Sequence, residues 1–230
     1  MTAPLVLFDP LAAGYEAWFE TKLGAFVAER ERDLLLRLLR ASPRERILEI
    51  GSGTGFFLRE IARTGAHCVG LEPSTGMLEV TRSHAVPAVE YVRGAAEALP
   101  FAPASFDAAI FMTTLEFVAN VDAALREAKR VVRPGGRLVV GVLNAAGPWA
   151  EARRREGGLW EKTRFFSGAE LRTLLTPFGD VTMDFCVHAP PSAEAWPTAL
   201  LRAADWVRRL VNRESGALIG ARVQLREADA

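Results

Sequence analysis

Little in this sequence supports a disulfide or metal scaffold. Its 230 residues include two cysteines and three histidines. Cys68 and Cys186 cannot build a disulfide framework, and each sits inside an apolar run, so both are expected as buried, reduced thiols. His67, His84 and His188 lie far apart in the chain, and no His/Cys/Asp grouping has metal-ligand spacing, so no metal is expected. A serine nucleophile elbow is missing as well, because Gly51-Ser52-Gly53 lacks the required spacing. No apolar run approaches the ~20 residues of a membrane-spanning helix. The opening Met1-Thr2-Ala3-Pro4-Leu5 has neither a basic stretch nor an apolar core, so it does not read as a secretion signal, and the cytoplasm is the expected compartment. Net charge is absent too. With 28 basic residues against 28 acidic ones, the chain has no global electrostatic reason to hold nucleic acid or an anionic membrane. The short basic spots Arg153-Arg154-Arg155 and Arg208-Arg209 read as solvated helix faces. No Gly/Ser/Pro-rich linker and no internal repeat interrupts the chain, so residues 1–230 read as one domain, of unspecified oligomeric state.

What the sequence does have is alternation. Residues 12–41 carry apolar side chains three and four apart, from Trp18, Phe19 and Leu23 to Leu38 and Leu39, and read as helix until Ser42-Pro43. Short apolar runs follow at 46–50, 68–71, 89–92, 106–112, 137–143, 181–187 and 218–225. Segments of helical periodicity separate the first five. Strand and helix repeated in this way predict an α/β fold, a mostly parallel seven-stranded sheet with helices on both faces. The last run alternates strictly, as an antiparallel, half-exposed strand would. The layout is therefore an N-terminal helical cap over 1–42, a core over 43–145, and a half over 146–230 with a helical insert at 194–213.

The most informative segment is Ile47-Leu48-Glu49-Ile50-Gly51-Ser52-Gly53-Thr54-Gly55-Phe56, a buried strand running into a glycine-rich turn. Open α/β sheets bind ligands at the carboxyl ends of their strands, and alternate glycines let backbone approach a ligand closely. A dinucleotide-binding turn would read G-x-G-x-x-G, but Phe56 stands where the third glycine belongs. Glu49, two residues before the first glycine, suits a cationic ligand and would repel a pyrophosphate. Glu72 ends the second run about 20 residues further on, where an acid can accept both hydroxyls of a ribose.

With these residues in view the chain resembles the class I S-adenosylmethionine-dependent methyltransferases, in particular the small-molecule subgroup that includes the ubiquinone/menaquinone methyltransferases. The resemblance rests on residues 47–55, on 69–74 with Met77, on Gly94-Ala95-Ala96-Glu97-Ala98-Leu99-Pro100-Phe101, on Ser105-Phe106-Asp107, and on 130–138. Residues 8–18 and 160–175 resemble the same subgroup. The two-proline signature of DNA-amine methyltransferases after the fourth strand is absent.

The resemblance implies S-adenosylmethionine as cofactor, S-adenosylhomocysteine as product, and a Rossmann-like fold. Glu49, Gly51, Ser52, Gly53 and Gly55 would then surround the methionyl part, Glu72 would hold the ribose, and Pro73, Ser74 and Met77 would border the adenine. Family members commonly have an aspartate where Ala95 stands, so that adenine contact is lost or moves to Glu97, while the Ala96 backbone N–H can still reach the ring. Thr113 would lie at the sulfonium end, with Phe117 close by, and Glu116 is a weak candidate to orient or deprotonate a substrate. Tyr15 and Trp18, three apart, would show aromatic faces to the sulfonium. Residues 149–166 and 196–210, rich in Trp, Phe and Leu, suggest a partly apolar chamber for a small molecule. The acceptor atom stays open among O, N, S and C. An NAD-type oxidoreductase and a non-catalytic cofactor-binding module are the alternative readings.

Overall fold

The computed structural model describes residues 7–84, 86–161 and 163–227, so the opening pentapeptide lies outside the described residues. Seven strands form one sheet: β1 (Arg46–Ile50), β2 (His67–Glu72), β3 (Val89–Arg93), β4 (Phe106–Met112), β5 (Val132–Leu143), β6 (Gly179–Cys186) and β7 (Leu218–Leu225). Their order is β3-β2-β1-β4-β5-β7-β6. The first five pair in parallel, and β7 runs antiparallel to both β5 and β6. This is the expected Rossmann-like sheet. Alternate residues of each central strand enter different cores. Leu48, Ala109, Phe111, Leu138 and Val140 pack on one face, and Ile47, Ala108, Ile110 and Val139 on the other. Both faces must therefore be covered by helices, and β1 and β4 are buried except at Arg46 and Asp107.

The second face is covered by α2 (Lys22–Leu39) and α3 (Phe56–Ala62), the first by α5 (Val121–Val131) and α7 (Gly168–Leu175). α4 (Thr75–Ser83), α6 (Pro148–Glu156) and α8 (Thr198–Val211) are further helices. Among the described residues no helix is long and apolar enough to cross a membrane. Cys68 and Cys186 are free and buried.

The structure corrects the sequence reading in three places. β7, expected half-exposed, is buried except at Arg222 and Gln224, because β5 and β6 flank it. The helix expected over 12–41 is three pieces: a 3-10 turn (Asp9–Gly14), α1 (Ala17–Glu20) and α2. Thr21 causes the break. Its backbone is extended (ψ 154°), its hydroxyl caps α2 by accepting from the Gly24 N–H at 3.0 Å, and it donates to the Trp18 carbonyl at 2.8 Å. The basic spots are also more than solvated faces. The Arg153 guanidinium lies over the rings of Trp149 and Trp160, 5.4 and 4.8 Å from their centroids. Arg209 joins Arg37 and Arg213 on the Asp184 carboxylate and ties α8 to α2 and β6.

Candidate active site

The strand order sets the location. From β1 the chain steps to β2 and β3 on one side, then crosses to β4 on the other. The crevice beyond the carboxyl ends of β1 and β4 is the topological switch point. A cavity of about 520 Å³ opens there.

The turn after β1 forms its floor. Gly51, Gly53 and Gly55 have φ of +74°, +54° and +77°, a left-handed run that other residues adopt at a cost. The Gly51 and Ser52 N–H groups both donate to the Leu71 carbonyl at 2.7 and 3.1 Å, which locks the turn to the end of β2. A Cβ at Gly53 would meet nothing within 4 Å, whereas one at Gly55 would collide with the Tyr91 hydroxyl. Gly55 thus shapes the turn from behind and is absent from the cavity wall, while Gly51, Ser52 and Gly53 line it.

Two acids frame the turn. Glu49 lines the cavity yet is only 1% exposed, and its Oε2 has no partner among the described residues. Burial, reinforced by Glu72 and partly offset by Arg59, pushes its pKa up to about 8. Glu72 accepts from the Gly53 N–H on one oxygen and from the Ser74 N–H on the other, each at 2.8 Å. Burial raises its pKa against those two hydrogen bonds. Each Glu72 oxygen still has a free lone pair. The Ser52 hydroxyl is likewise unpartnered. An orphaned acid, a second acid with spare acceptors and an open cradle at Gly53 fit a ligand with a cationic end and neighbouring hydroxyls.

Further out, Pro73 and Met77 line one side of the cavity, and Ala95, Ala96 and Glu97 another. One Glu97 oxygen already accepts from the Ala119 and Asn120 N–H groups at 3.1 and 3.3 Å, so at most its second oxygen can serve a ligand. Ser74 stays off the wall. It caps α4 through the Met77 N–H at 3.1 Å and donates to Asp9. Thr113, in a left-handed conformation (φ +49°) at the end of β4, lines the cavity with Phe117. Such strain in a β-branched residue is typical of ligand sites.

The cap closes the top. Asp9 holds it to the start of α4 through Ser74 and the Gly76 N–H, and Glu16 pairs with Arg59 of α3 at 2.8 Å. Tyr15 lines the cavity and Trp18 does not. Trp18 is 39% exposed and packs edge-on against Phe19, which takes the expected place on the wall. Tyr15 is 36% exposed as a residue, but it lines the cavity, where loss of water first, then the charges of Glu31, Glu72, Glu49 and Glu116, push the phenol up to about 12. Phe19 stacks on Phe56 (4.4 Å, 15°), and Phe8 meets Phe117 edge to face at 4.9 Å. Phe56, where a dinucleotide turn has glycine, thus anchors the cap. Neither Phe8 nor Phe19 stood out as a site residue in the sequence. Phe19 belongs to the apolar spacing of 12–41, and Phe8 only opens the segment 8–18 that resembles the family.

Glu116 is neither solvated nor a helix cap. It lies off the cavity wall, 4% exposed, with Oε1 accepting from the Leu143 N–H at 2.5 Å and Oε2 unpartnered among the described residues. Burial pushes its pKa up to about 7.

Known proteins share the sequence pattern and the fold. Residues 48–140 match the family described as methyltransferase domain. The demethylmenaquinone methyltransferase of Beutenbergia cavernae is 33% identical over 208 residues, spanning 87% of this chain and 81% of that protein. An uncharacterized protein of Mycobacterium tuberculosis is 34% identical over 187 residues, 78% of this chain but 62% of its own length, so the chain spans under two thirds of that relative. A solved structure from Thermotoga maritima, described as a SAM-dependent methyltransferase and possible histamine N-methyltransferase, superposes with a TM-score of 0.75 at 27% identity, covering 95% of this chain and 98% of that one. The chain belongs to the S-adenosylmethionine-dependent methyltransferases of the menaquinone-methyltransferase-like type.

Proposed function

We propose that this protein transfers a methyl group from S-adenosylmethionine to a small, partly apolar acceptor at the cavity beyond β1 and β4. The observation that carries the reading is the unpartnered, buried carboxylate of Glu49 beside Glu72 across an open glycine turn. When bound, the cofactor supplies a methyl group on a positively charged sulfur, activated without further help from the protein. The residues then have to hold and align. Glu49 would take the α-ammonium and Glu72 the ribose hydroxyls. Pro73 and Met77 would flank the base, with the Ala96 N–H and the free Glu97 oxygen at its edge. Thr113 and Phe117 would border the reacting end, and Tyr15 and Phe19 would exclude water above it. Alignment of this kind is worth on the order of 7–11 kcal/mol without a dedicated acid.

Titration with S-adenosylhomocysteine tests the reading. We expect micromolar or tighter binding, about −8 kcal/mol, and no competing heat from NAD. Glu72→Ala should weaken it by roughly 1–3 kcal/mol, because two hydroxyls lose a charged acceptor. A flat titration at millimolar ligand would refute the assignment.

The cap gives a second readout. Phe8, Tyr15 and Phe19 contribute to the cavity wall, so a ligand beneath them should tighten the segment. Hydrogen exchange over residues 8–30 is expected to slow when S-adenosylhomocysteine is added, more than over 139–143 in β5. Equal exchange in both states would make the cap a fixed part of the core, held by Asp9, Glu16 and the Phe8 and Phe19 ring contacts.

A further inference from the structure

α8 turns an apolar face to solvent. At about 100° per residue, Leu201 and Asp205 fall on the inward side of the helix, and both are buried. Leu201 enters the core, and Asp205 accepts from the His188 and Ala189 N–H groups at 2.5 and 3.1 Å. The opposite sector, about 140° wide, holds Leu200, Trp206, Val207, Leu210 and Val211 with Ala203 in their middle, and no charged residue. Exposure runs from 48% at Leu200 to 82% at Val211. Single exposed apolar residues are ordinary, but five on one helix face make a patch. Arginines border it, Arg202 and Arg209 along one edge and Arg208 along the other. Arg209, Arg213 and Arg37 share the one carboxylate of Asp184, which leaves two positive charges unbalanced there. Arg202 pairs with Glu29, and Arg208 makes no ion pair among the described residues. Glu214 is the one exposed acid of residues 198–214.

The place of α8 in the fold adds a second observation. Residues 187–217 join β6 to β7, and Cys186 pairs with Leu218, which pairs with Leu143 at the carboxyl end of β5. The connection that carries α8 therefore leaves and rejoins the sheet at the end where the cavity opens. The other large apolar side chains left exposed among the described residues are Leu7, Leu11, Tyr15 and Trp18, all in the cap of that cavity. We propose that α8 docks this protein on an anionic lipid membrane, its apolar face in the headgroup layer and its arginines on lipid phosphates. A helix with Trp and Leu on one side and arginine at the edges suits that interface. Trp206 and Leu210 enter the apolar boundary, while the arginine stems let the guanidiniums reach back to phosphate. A second copy of the chain fits less well. A two-fold contact along α8 would set the arginines of one copy against those of the other. One face of a 14-residue helix, about 21 Å by 10 Å, also falls short of the ~800 Å² that each partner of a stable dimer contributes.

The test needs no cofactor, so it stands apart from the methyltransferase reading. Co-sedimentation with vesicles of phosphatidylcholine alone, and of phosphatidylcholine and phosphatidylglycerol in equal parts, measures docking. The unmodified protein should partition onto the anionic vesicles roughly tenfold or more strongly than onto the neutral ones, and lose most of that binding in about 0.5 M salt. Its tryptophan emission should shift to the blue on binding, and Trp206→Ser should remove most of the shift. Leu210→Glu and Val211→Glu should each cut partition roughly tenfold or more, and Arg208→Gln about fivefold. Melting temperatures should not change, because all of these side chains are exposed. No binding to anionic vesicles, equal binding to both kinds, or glutamate variants that bind like the parent would each overturn the proposal. A dimer in solution that Leu210→Glu splits would overturn it too, by giving the face to a second copy. The comparison of the two vesicles with the unmodified protein needs no variant to fold.

Discussion

Glu49→Gln should stabilise the ligand-free protein above neutral pH and at the same time weaken S-adenosylhomocysteine binding by about 10- to 150-fold. The opposite signs follow from one fact. Glu49 is buried with an oxygen unpartnered, and its pKa is pushed from 4.5 up to about 8 by burial first and then by Glu72. A folded-state pKa above the unfolded one means that the native protein holds a proton the unfolded chain has released. Stability from this group is whole below pH 4.5 and is lost as pH rises toward 8, by up to ~1.4 kcal/mol per pH unit. Glutamine abolishes that loss, so the melting temperatures of variant and parent should coincide near pH 5 and separate progressively up to pH 8. Glu31 and Glu116, each pushed up to about 7 by burial, add slopes of the same sign that the variant keeps. A ligand ammonium reverses the balance, because it needs the ionised carboxylate. A charge-assisted hydrogen bond of this sort is worth roughly 1.5–3 kcal/mol, which is the loss expected on substitution. Melting curves across pH with and without ligand check both halves. Equal ligand affinity in the variant would leave Glu49 as a structural acid.

Much of this site was legible because its logic is local. The glycines alternate within one turn, Glu49 precedes them by two residues, and Glu72 ends the adjacent strand, so residue type and register carried the reading. The parallel sheet was legible for a similar reason, since strands buried on both faces appear as continuous apolar runs. The cap was harder to read. Apolar spacing of three and four runs straight through Thr21, and only the capping hydrogen bond to Gly24 shows that the helix starts afresh there. Trp18 accordingly turned outward and Phe19 inward. Glu31 and Arg153 were hidden for another reason. Each sits among charged neighbours, Glu29-Arg30-Glu31-Arg32-Asp33 and Arg153-Arg154-Arg155, that look like a solvated face. Only the packing of α2 against the sheet takes Glu31 out of water, and only the Trp149 and Trp160 rings cover Arg153.

Gly51→Ala and Gly53→Ala should fail in different ways, although both place a side chain in a left-handed conformation. That conformation alone costs an alanine roughly 1–2 kcal/mol at either position. At Gly51 the new Cβ would also run into the side chain of Thr114, in a turn locked to Leu71 by two hydrogen bonds. Overpacking of this kind adds about 1–3 kcal/mol. Gly51→Ala should therefore lose about 2–5 kcal/mol of stability. At Gly53 the Cβ meets nothing within 4 Å, because it would project into the cavity. Gly53→Ala should keep most of its stability and lose cofactor affinity instead, by at least a hundredfold, as the methyl occupies space the ligand needs. Thermal melts and calorimetry on the two variants separate these outcomes. The Thr114 contact can be isolated by a double-mutant cycle, in which Thr114→Ala should return a large part of the stability lost by Gly51→Ala and none of that lost by Gly53→Ala. If Thr114→Ala rescues neither, backbone strain alone accounts for Gly51. If Gly53→Ala binds S-adenosylhomocysteine normally, the ligand does not cross the turn where the open cradle lies.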